Sequence, residues 1–287
     1  MSKSNILLPP CTYQGAKQRV VKEIVDIIFE RNIIYQDTKF FDLCCGTGTI
    51  TLELLSRGIK PENIIMLDKS SWGLFWKSIG SGKYDINKFN DYIEQIPKDK
   101  YEIQSYLKEL SKENPEIDEE YKYILLQAGS FGGKQIWKEN NKWNNTSFRS
   151  YWQPTITSKR RSPVNPMQPM PDTIKQRMNI IVNKCNGLTC LHIDIYEILK
   201  DLNYENTENC IFYLDPPYKN TTGYGFKFDW EDFISELFDR TLSPIYVSEC
   251  KQYADDKNSF LLNFRGKKGG ISGIRKGKNQ EWLNEFR

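Results

Sequence analysis

The sequence predicts an α/β fold, a Rossmann-like sheet interrupted by a long insert, and three observations carry that expectation. Residues 38–58, "TKFFDLCCGTGTITLELLSRG", run from an apolar strand through a glycine turn into an amphipathic helix, and "NIIMLD" follows after Pro61 as a second strand. That spacing is a parallel βαβ unit. From about Gly80 to Cys185 the alternation of strand and helix stops, and after it "LTCLHIDIYEILKDL", "IFYLDPP" and "SPIYVSEC" restore it.

Each element has a local reason. Lys17 to Arg31 carries Val21, Ile24, Val25 and Ile28 at helical spacing, one apolar face. The helix after the glycine turn closes near Gly58, where a residue without Cβ suits a helix end. "IQSYLKELSKE" and "EYKYILLQAG" read as helices of the insert, whereas residues 130–171, rich in Trp, Asn, Pro and basic residues, read as loop. Within them "SPVNPMQPMP" is expected to be an extended surface connection. A further helix is expected from about Asp229, and "SFLLNF" as a last strand. The expected division is residues 1–80 with 185–287 as one domain and 81–184 as the insert.

Composition narrows the chemistry. Of 287 residues, 39% are hydrophobic and 13% aromatic, which suits a folded chain with a full core. No apolar run approaches the roughly 20 residues of a membrane helix, and "MSKSNILLPP" lacks the apolar core of a signal peptide, so a cytoplasmic protein with no membrane partner is expected. Seven cysteines include no C-x-x-C pair, and Cys44 and Cys45 sit side by side in an apolar run. With His192 the single histidine, neither a cysteine-histidine metal site nor histidine catalysis is expected. Chemistry falls to carboxylates, lysines, backbone groups or a bound cofactor.

The formal charge of +3 is unevenly spread. Acids dominate from Asp85 to Lys122. Between Lys134 and Arg177 nine Lys or Arg face two acids, and "RGKKGGISGIRKGK" (265–278) adds six bases and no acid. Such segregation suits a phosphate-binding face.

Two motifs carry the chemistry. "DLCCGTG" places Asp42, Gly46 and Gly48 where the first strand turns into its helix, the sheet edge at which ligands bind in parallel sheets. A dinucleotide fingerprint wants a third glycine or alanine at the position of Thr51, which argues against NAD. Asp68, ending the second strand, is placed to accept ribose hydroxyls. "LDPPY" puts Asp215 at the same edge, followed by Pro216 and Pro217, whose backbone is rigid and whose nitrogens donate nothing, and by Tyr218, a flat stacking ring. The set suits a planar base with an exocyclic amine: Asp215 and a proline carbonyl each accept one amine hydrogen, aiming the nitrogen lone pair at an electrophilic methyl.

Together "DPPY", "FFDLCCGTG" and the early "TYQGAKQR" resemble the Dam-type, alpha-class DNA adenine-N6 methyltransferases, in which a W-x-G-G/S-K-type motif, the glycine turn, an inserted recognition domain and D-P-P-Y follow in this order. Tyr13 stands where that family usually has tryptophan, and Ala16 where it has a second small residue. The resemblance implies a class I methyltransferase-type mixed sheet with an inserted target-recognition domain, and S-adenosyl-L-methionine as cofactor. Tyr13 and Lys17 would contact its amino-acid end, Asp42, Gly46 and Gly48 would line its pocket, Asp68 would hold its ribose and Asp194 its adenine. As an isolated residue, Asp194 reads equally well as a helix N-cap. Asp215, Pro216, Pro217 and Tyr218 would hold the target adenine, with Asp215 also bordering the cofactor.

The implied partner is double-stranded DNA, from which the target base must be flipped. Arg149, Lys159, Arg160 and Arg161 are the expected phosphate contacts, with Arg149 or Asn145 reading base edges. Trp137, Trp143 and Trp152 are expected to pack the insert. N4-cytosine methylation, RNA adenine methylation and a catalytically silent DNA-binding relative are the alternatives.

Overall fold

The computed structural model describes residues 7–217, 228–262 and 280–287. In chain order they form helix α1 (Val21–Arg31), strand β1 (Lys39–Leu43), helix α2 (Thr49–Ser56), strand β2 (Ile64–Leu67) and helix α3 (Ser71–Gly80). Helices α4 (Ile86–Glu94), α5 (Ile103–Leu110) and α6 (Glu119–Gly129), the hairpin strands β3 (Trp137–Glu139) and β4 (Lys142–Asn144), and helix α7 (Pro171–Lys184) follow. The chain then returns through β5 (Thr189–Leu191), a 3-10 helix (Ile195–Lys200), β6 (Cys210–Leu214), α8 (Trp230–Phe238), β7 (Ile245–Glu249), β8 (Ser259–Leu261) and β9 (Trp282–Phe286).

Seven strands make one sheet in the order β5-β2-β1-β6-β7-β9-β8. All pairings from β5 to β7 are parallel, and β9 runs antiparallel to both β7 and β8. This is a Rossmann-like mixed sheet of the methyltransferase type. Strand order reverses at β1, between β2 and β6, which opens a crevice at their carboxyl ends.

Both faces of the sheet are covered, so the strands read as nearly continuous apolar runs. In β1, Phe40 joins the core shared with α1, α2 and α3, while Phe41 and Leu43 join the core under α8 and the 3-10 helix. The first core continues without a break into the insert, through Phe89, Leu107, Tyr123, Ile124 and Met178. Helix α6 is buried nearly all round, and its Glu119 is held by Ser71 Oγ (2.7 Å) and Lys138 (2.6 Å). Among the described residues no helix is long and apolar enough to cross a membrane.

Three elements differ from expectation. The segment 130–171, read as loop, holds the β3–β4 hairpin, whose turn residues Asn140 and Asn141 both have φ above +50°; asparagine tolerates that conformation, and only three residues pair on each side. "SPVNPMQPMP" is not wholly at the surface, since Pro166 and Met167 are buried. Strand β9 lacks an apolar alternation because Asn284 and Glu285 point inward, where Tyr253 N–H and Ser259 Oγ donate to Asn284 Oδ1 (2.8 Å each) and Arg31 pairs with Glu285 (2.7 Å).

Candidate active site

The carboxyl ends of β1, β2 and β6 and the segment after β5 converge on one cleft, closed from the amino-terminal side by the turn at residues 13–17. Of the expected cofactor residues, Tyr13, Lys17, Asp42, Gly46, Asp68, Asp194 and Asp215 line it, as do Pro216 and Pro217.

The turn after β1 is built on left-handed backbone. Gly46 has φ +48°, and its N–H donates to Asp68 Oδ2 at 2.8 Å. Gly48, at φ +68°, is the N-cap of α2, and a Cβ there would lie 2.4 Å from Trp76 Cζ2. Gly48 is absent from the cleft wall; contrary to expectation, its glycine serves the packing of Trp76, whose Nε1–H donates to Gly46 O at 2.9 Å. A glycine cap offers the helix no side-chain acceptor, and Asp42 supplies one from the strand. Its Oδ2 accepts from Thr51 N–H (3.2 Å) and Thr51 Oγ1–H (2.7 Å). Thr51, where a dinucleotide fingerprint would have glycine, is therefore the partner of a buried acid.

Burial pushes the Asp42 carboxyl up to about 7, against the lowering effect of the two Thr51 bonds and with the Asp215 and Asp68 charges adding to the rise. The folded-state value lies above the ordinary 3.8, so the folded chain holds a proton that the unfolded chain releases. That stabilisation is complete below about pH 3.8 and is lost as pH rises to about 7. The Asp42→Asn variant is expected to gain stability relative to the native protein across this window, by at most about 1.4 kcal/mol per pH unit. Urea unfolding at a series of pH values measures the difference.

Asp68 and Asp194 both line the cleft. Asp68 Oδ1 accepts from Ser70 N–H (2.8 Å) and Ser70 Oγ–H (2.6 Å), which fixes its rotamer at the end of β2. Asp194 caps the 3-10 helix through Tyr196 N–H (3.2 Å) and pairs with Lys69 Nζ (2.8 Å). Burial alone would raise the Asp194 carboxyl, but the Lys69 bond, the Tyr196 N–H and the Lys69 charge outweigh it and hold it below the usual carboxylate range. Asp194 is therefore a helix N-cap that also lines the cleft.

Asp215 continues β6 by one more bond, its N–H donating to Leu43 O (3.3 Å), before Pro216 ends the ladder. Lys17, itself buried, forms an ion pair with Asp215, donates to Gly15 O (3.0 Å) and lies 3.6 Å from Glu281 beside β9. Burial raises the Asp215 carboxyl above the ordinary value, the Lys17 charge and hydrogen bond pull it back, and the Glu249 charge at the end of β7 adds to the rise. Tyr218 lies outside the described residues, as does the basic run 265–278.

The insert residues separate into two groups. Lys159, Arg160 and Arg161 are exposed on a loop bracketed by the bridge between Trp152 and Val164. Arg149 is not on that surface. It is 6% exposed, and its Nε and Nη2 both donate to Ser130 O, at 2.9 and 2.7 Å. This guanidinium faces the interior, and the expectation that it contacts phosphates or base edges is corrected. Asn145, at φ +58°, spends its amide on Gln135 O (2.7 Å) rather than projecting outward. Trp143 is buried and stacks on Tyr123 at 5.9 Å, whereas Trp152 is 37% exposed.

Gln135 belongs to none of the motifs read from the sequence. Among the described residues it is the one insert residue that lines the cleft. Only its position beside the "GG" at 132–133, a bend able to bring the insert back to the cleft, signals it in the sequence.

Comparison with known proteins follows this geometry. A family model described as D12 class N6 adenine-specific DNA methyltransferase matches residues 13–260. No curated protein matches the chain. Among solved structures, the rRNA methyltransferase AviRa from Streptomyces viridochromogenes is similar over 93% of this chain and 84% of its own, with 12% identity and a TM-score of 0.37. The family match takes in the turn at 13–17, the glycine turn, the whole insert and Asp215–Pro217, so the chain belongs to the D12 class N6 adenine-specific DNA methyltransferase family.

Proposed function

We propose that this adenine methyltransferase transfers a methyl group from S-adenosyl-L-methionine to N6 of an adenine flipped out of double-stranded DNA. The observation that carries the reading is the meeting of Asp215–Pro216–Pro217 with the Gly46 turn in one cleft, which Asp68 and Asp194 also line.

The residues present fit the cofactor. Two carboxylates, one at the end of β2 and one after β5, offer acceptors to ribose and adenine, and Gly46 lets the backbone approach without a Cβ. When bound, the cofactor supplies an electrophilic methyl on sulfur. Asp215 accepts one hydrogen of the target amine, a proline carbonyl accepts the other, and the nitrogen lone pair is left facing the methyl. The Lys17 charge and hydrogen bond favour the charged, accepting form of the Asp215 carboxyl against the opposing effect of its burial. The new N–C bond would form as the methyl C–S bond breaks, its electron pair staying on sulfur in S-adenosylhomocysteine, and the methylated nitrogen would give its proton to Asp215 or to solvent. Flipping the base costs a few kcal/mol, offset by stacking and hydrogen bonds in the pocket. The division into a catalytic domain (1–80 with 185–287) and a target-recognition insert (81–184) belongs to the same proposal.

The basic loop is the proposed phosphate-contacting surface: Lys159, Arg160 and Arg161 are exposed together, beside Ile156, 94% exposed, at the same tip. The triple variant Lys159→Ala/Arg160→Ala/Arg161→Ala is expected to weaken DNA binding for all sequences alike. The slope of log affinity against log salt should flatten by up to about 3, at roughly 0.9 per lost phosphate contact. Fluorescence anisotropy over a salt series measures it. The DNA target itself is tested by incubating the protein and methyl-labelled S-adenosyl-L-methionine with duplex DNA or with folded RNA. Label in DNA alone supports the reading, and label in RNA alone overturns it.

A further inference from the structure

We infer that Gln135, from the insert, is a cofactor-binding residue, its carboxamide contacting the amino-acid end of S-adenosyl-L-methionine. The inference rests on the proposed cofactor and adds a residue outside the motifs that suggested it.

Gln135 lines the cleft yet is only 4% exposed, and the chain around it is clamped on every side. Gln14 N–H donates to Gly133 O at 2.7 Å, which lays this segment against the turn at 13–17. The fully buried Gln127 donates through Nε2 to Gly133 O (3.2 Å) and Lys134 O (3.0 Å), and accepts at Oε1 from Ile136 N–H (3.1 Å). Ser130 Oγ–H donates to Lys134 O (2.6 Å), and Asn145 Nδ2–H to Gln135 O (2.7 Å). Three buried or half-buried side chains thus fix four consecutive residues, 133–136, of which Gln135 is the one facing the cleft. Such preorganisation is what a binding residue requires.

The chemistry of that end of the cleft explains a carboxamide. The amino-acid end of the cofactor is a zwitterion, a carboxylate beside an ammonium. Lys17, the cation in the adjoining turn, is engaged by Asp215, Gly15 O and Glu281. A neutral group with both an N–H donor and a C=O acceptor answers either charge of the zwitterion without adding a buried charge of its own. Because Gln135 O is tied to Asn145 at the foot of the β3–β4 hairpin, the contact also joins the insert to the cofactor.

The test uses two ligands with the full chain. S-adenosylhomocysteine carries the amino-acid end, whereas methylthioadenosine lacks it and keeps the nucleoside. By titration calorimetry, Gln135→Ala is expected to weaken S-adenosylhomocysteine by about tenfold or more, the scale of a hydrogen bond to a charged group, and to leave methylthioadenosine unchanged. Gln135→Leu keeps about the same size but removes both donor and acceptor, and should show the same selective loss even where the alanine variant folds poorly. Equal loss of both ligands, or no loss of either, overturns the inference. If the native protein binds neither ligand, the proposed cofactor fails first, and that result is distinct from a native protein that binds both and a variant that does so equally.

Discussion

Replacing Asp215 with alanine is expected to cut methyl transfer by at least about a hundredfold at saturating cofactor while the fold persists, the scale of losing a preorganised group that acts on the reacting centre. Asp215 lies where β6 ends, and its backbone stays locked to Leu43 O whatever the side chain is, so the variant keeps the sheet edge intact. Lys17 loses its nearest partner but retains Gly15 O and the carboxylate of Glu281, so no cation is stranded. The loss falls on the accepting oxygen that orients the target amine. Single-turnover methyl transfer, with calorimetric cofactor affinity and a melting curve as controls, separates that loss from unfolding. Activity within about tenfold of the native protein would remove Asp215 from the mechanism.

Gly73→Ala is the second large effect, and it acts on stability and site together. Helix α3 crosses the end of β2 so closely that a Cβ at position 73 would lie 1.9 Å from the backbone oxygen of Asp68 and 3.0 Å from His192 Cδ2. Backbone cannot rotate away as a flexible side chain can, so the helix or the strand end must move. Overpacking of this kind costs about 1–3 kcal/mol, and the displaced residue is Asp68, which holds Gly46 N–H and the start of α3 through Ser70. The expected result is a lower midpoint in urea together with weaker cofactor binding. A variant that melts like the native protein would show that α3 has slack at this crossing.

Much of this arrangement is legible in the sequence because its physics is local. The α1 face of Val21, Ile24, Val25 and Ile28 and the strand–turn–helix at Asp42 to Gly58 follow from apolar spacing and glycine, and α8 starts after Asp229 where the sequence places a helix. What escaped depends on partners distant in sequence. Nothing near Arg149 says that it turns inward to Ser130 O, and an arginine within a basic stretch reads as surface. Gly48 reads as a ligand-approach glycine until Trp76 is seen to fill the space beside it. Gln135 reaches the cleft through clamps from Gln14, Gln127 and Asn145, each contributed by a different element. Strand β9 carries Asn284 and Glu285 side by side within its five residues, which breaks the alternation, and β7 and β8 pair with it on either side.

The central claim is that the Asp215–Pro216–Pro217 edge presents an adenine amine in DNA to a sulfonium methyl. Its most direct test is nucleoside mass spectrometry of duplex DNA incubated with the protein and S-adenosyl-L-methionine carrying a deuterated methyl group. The account predicts deuterium-labelled N6-methyladenine with the native protein and its loss in Asp215→Ala. Label in N4-methylcytosine instead, or unlabelled DNA from a protein that binds the cofactor, would contradict it.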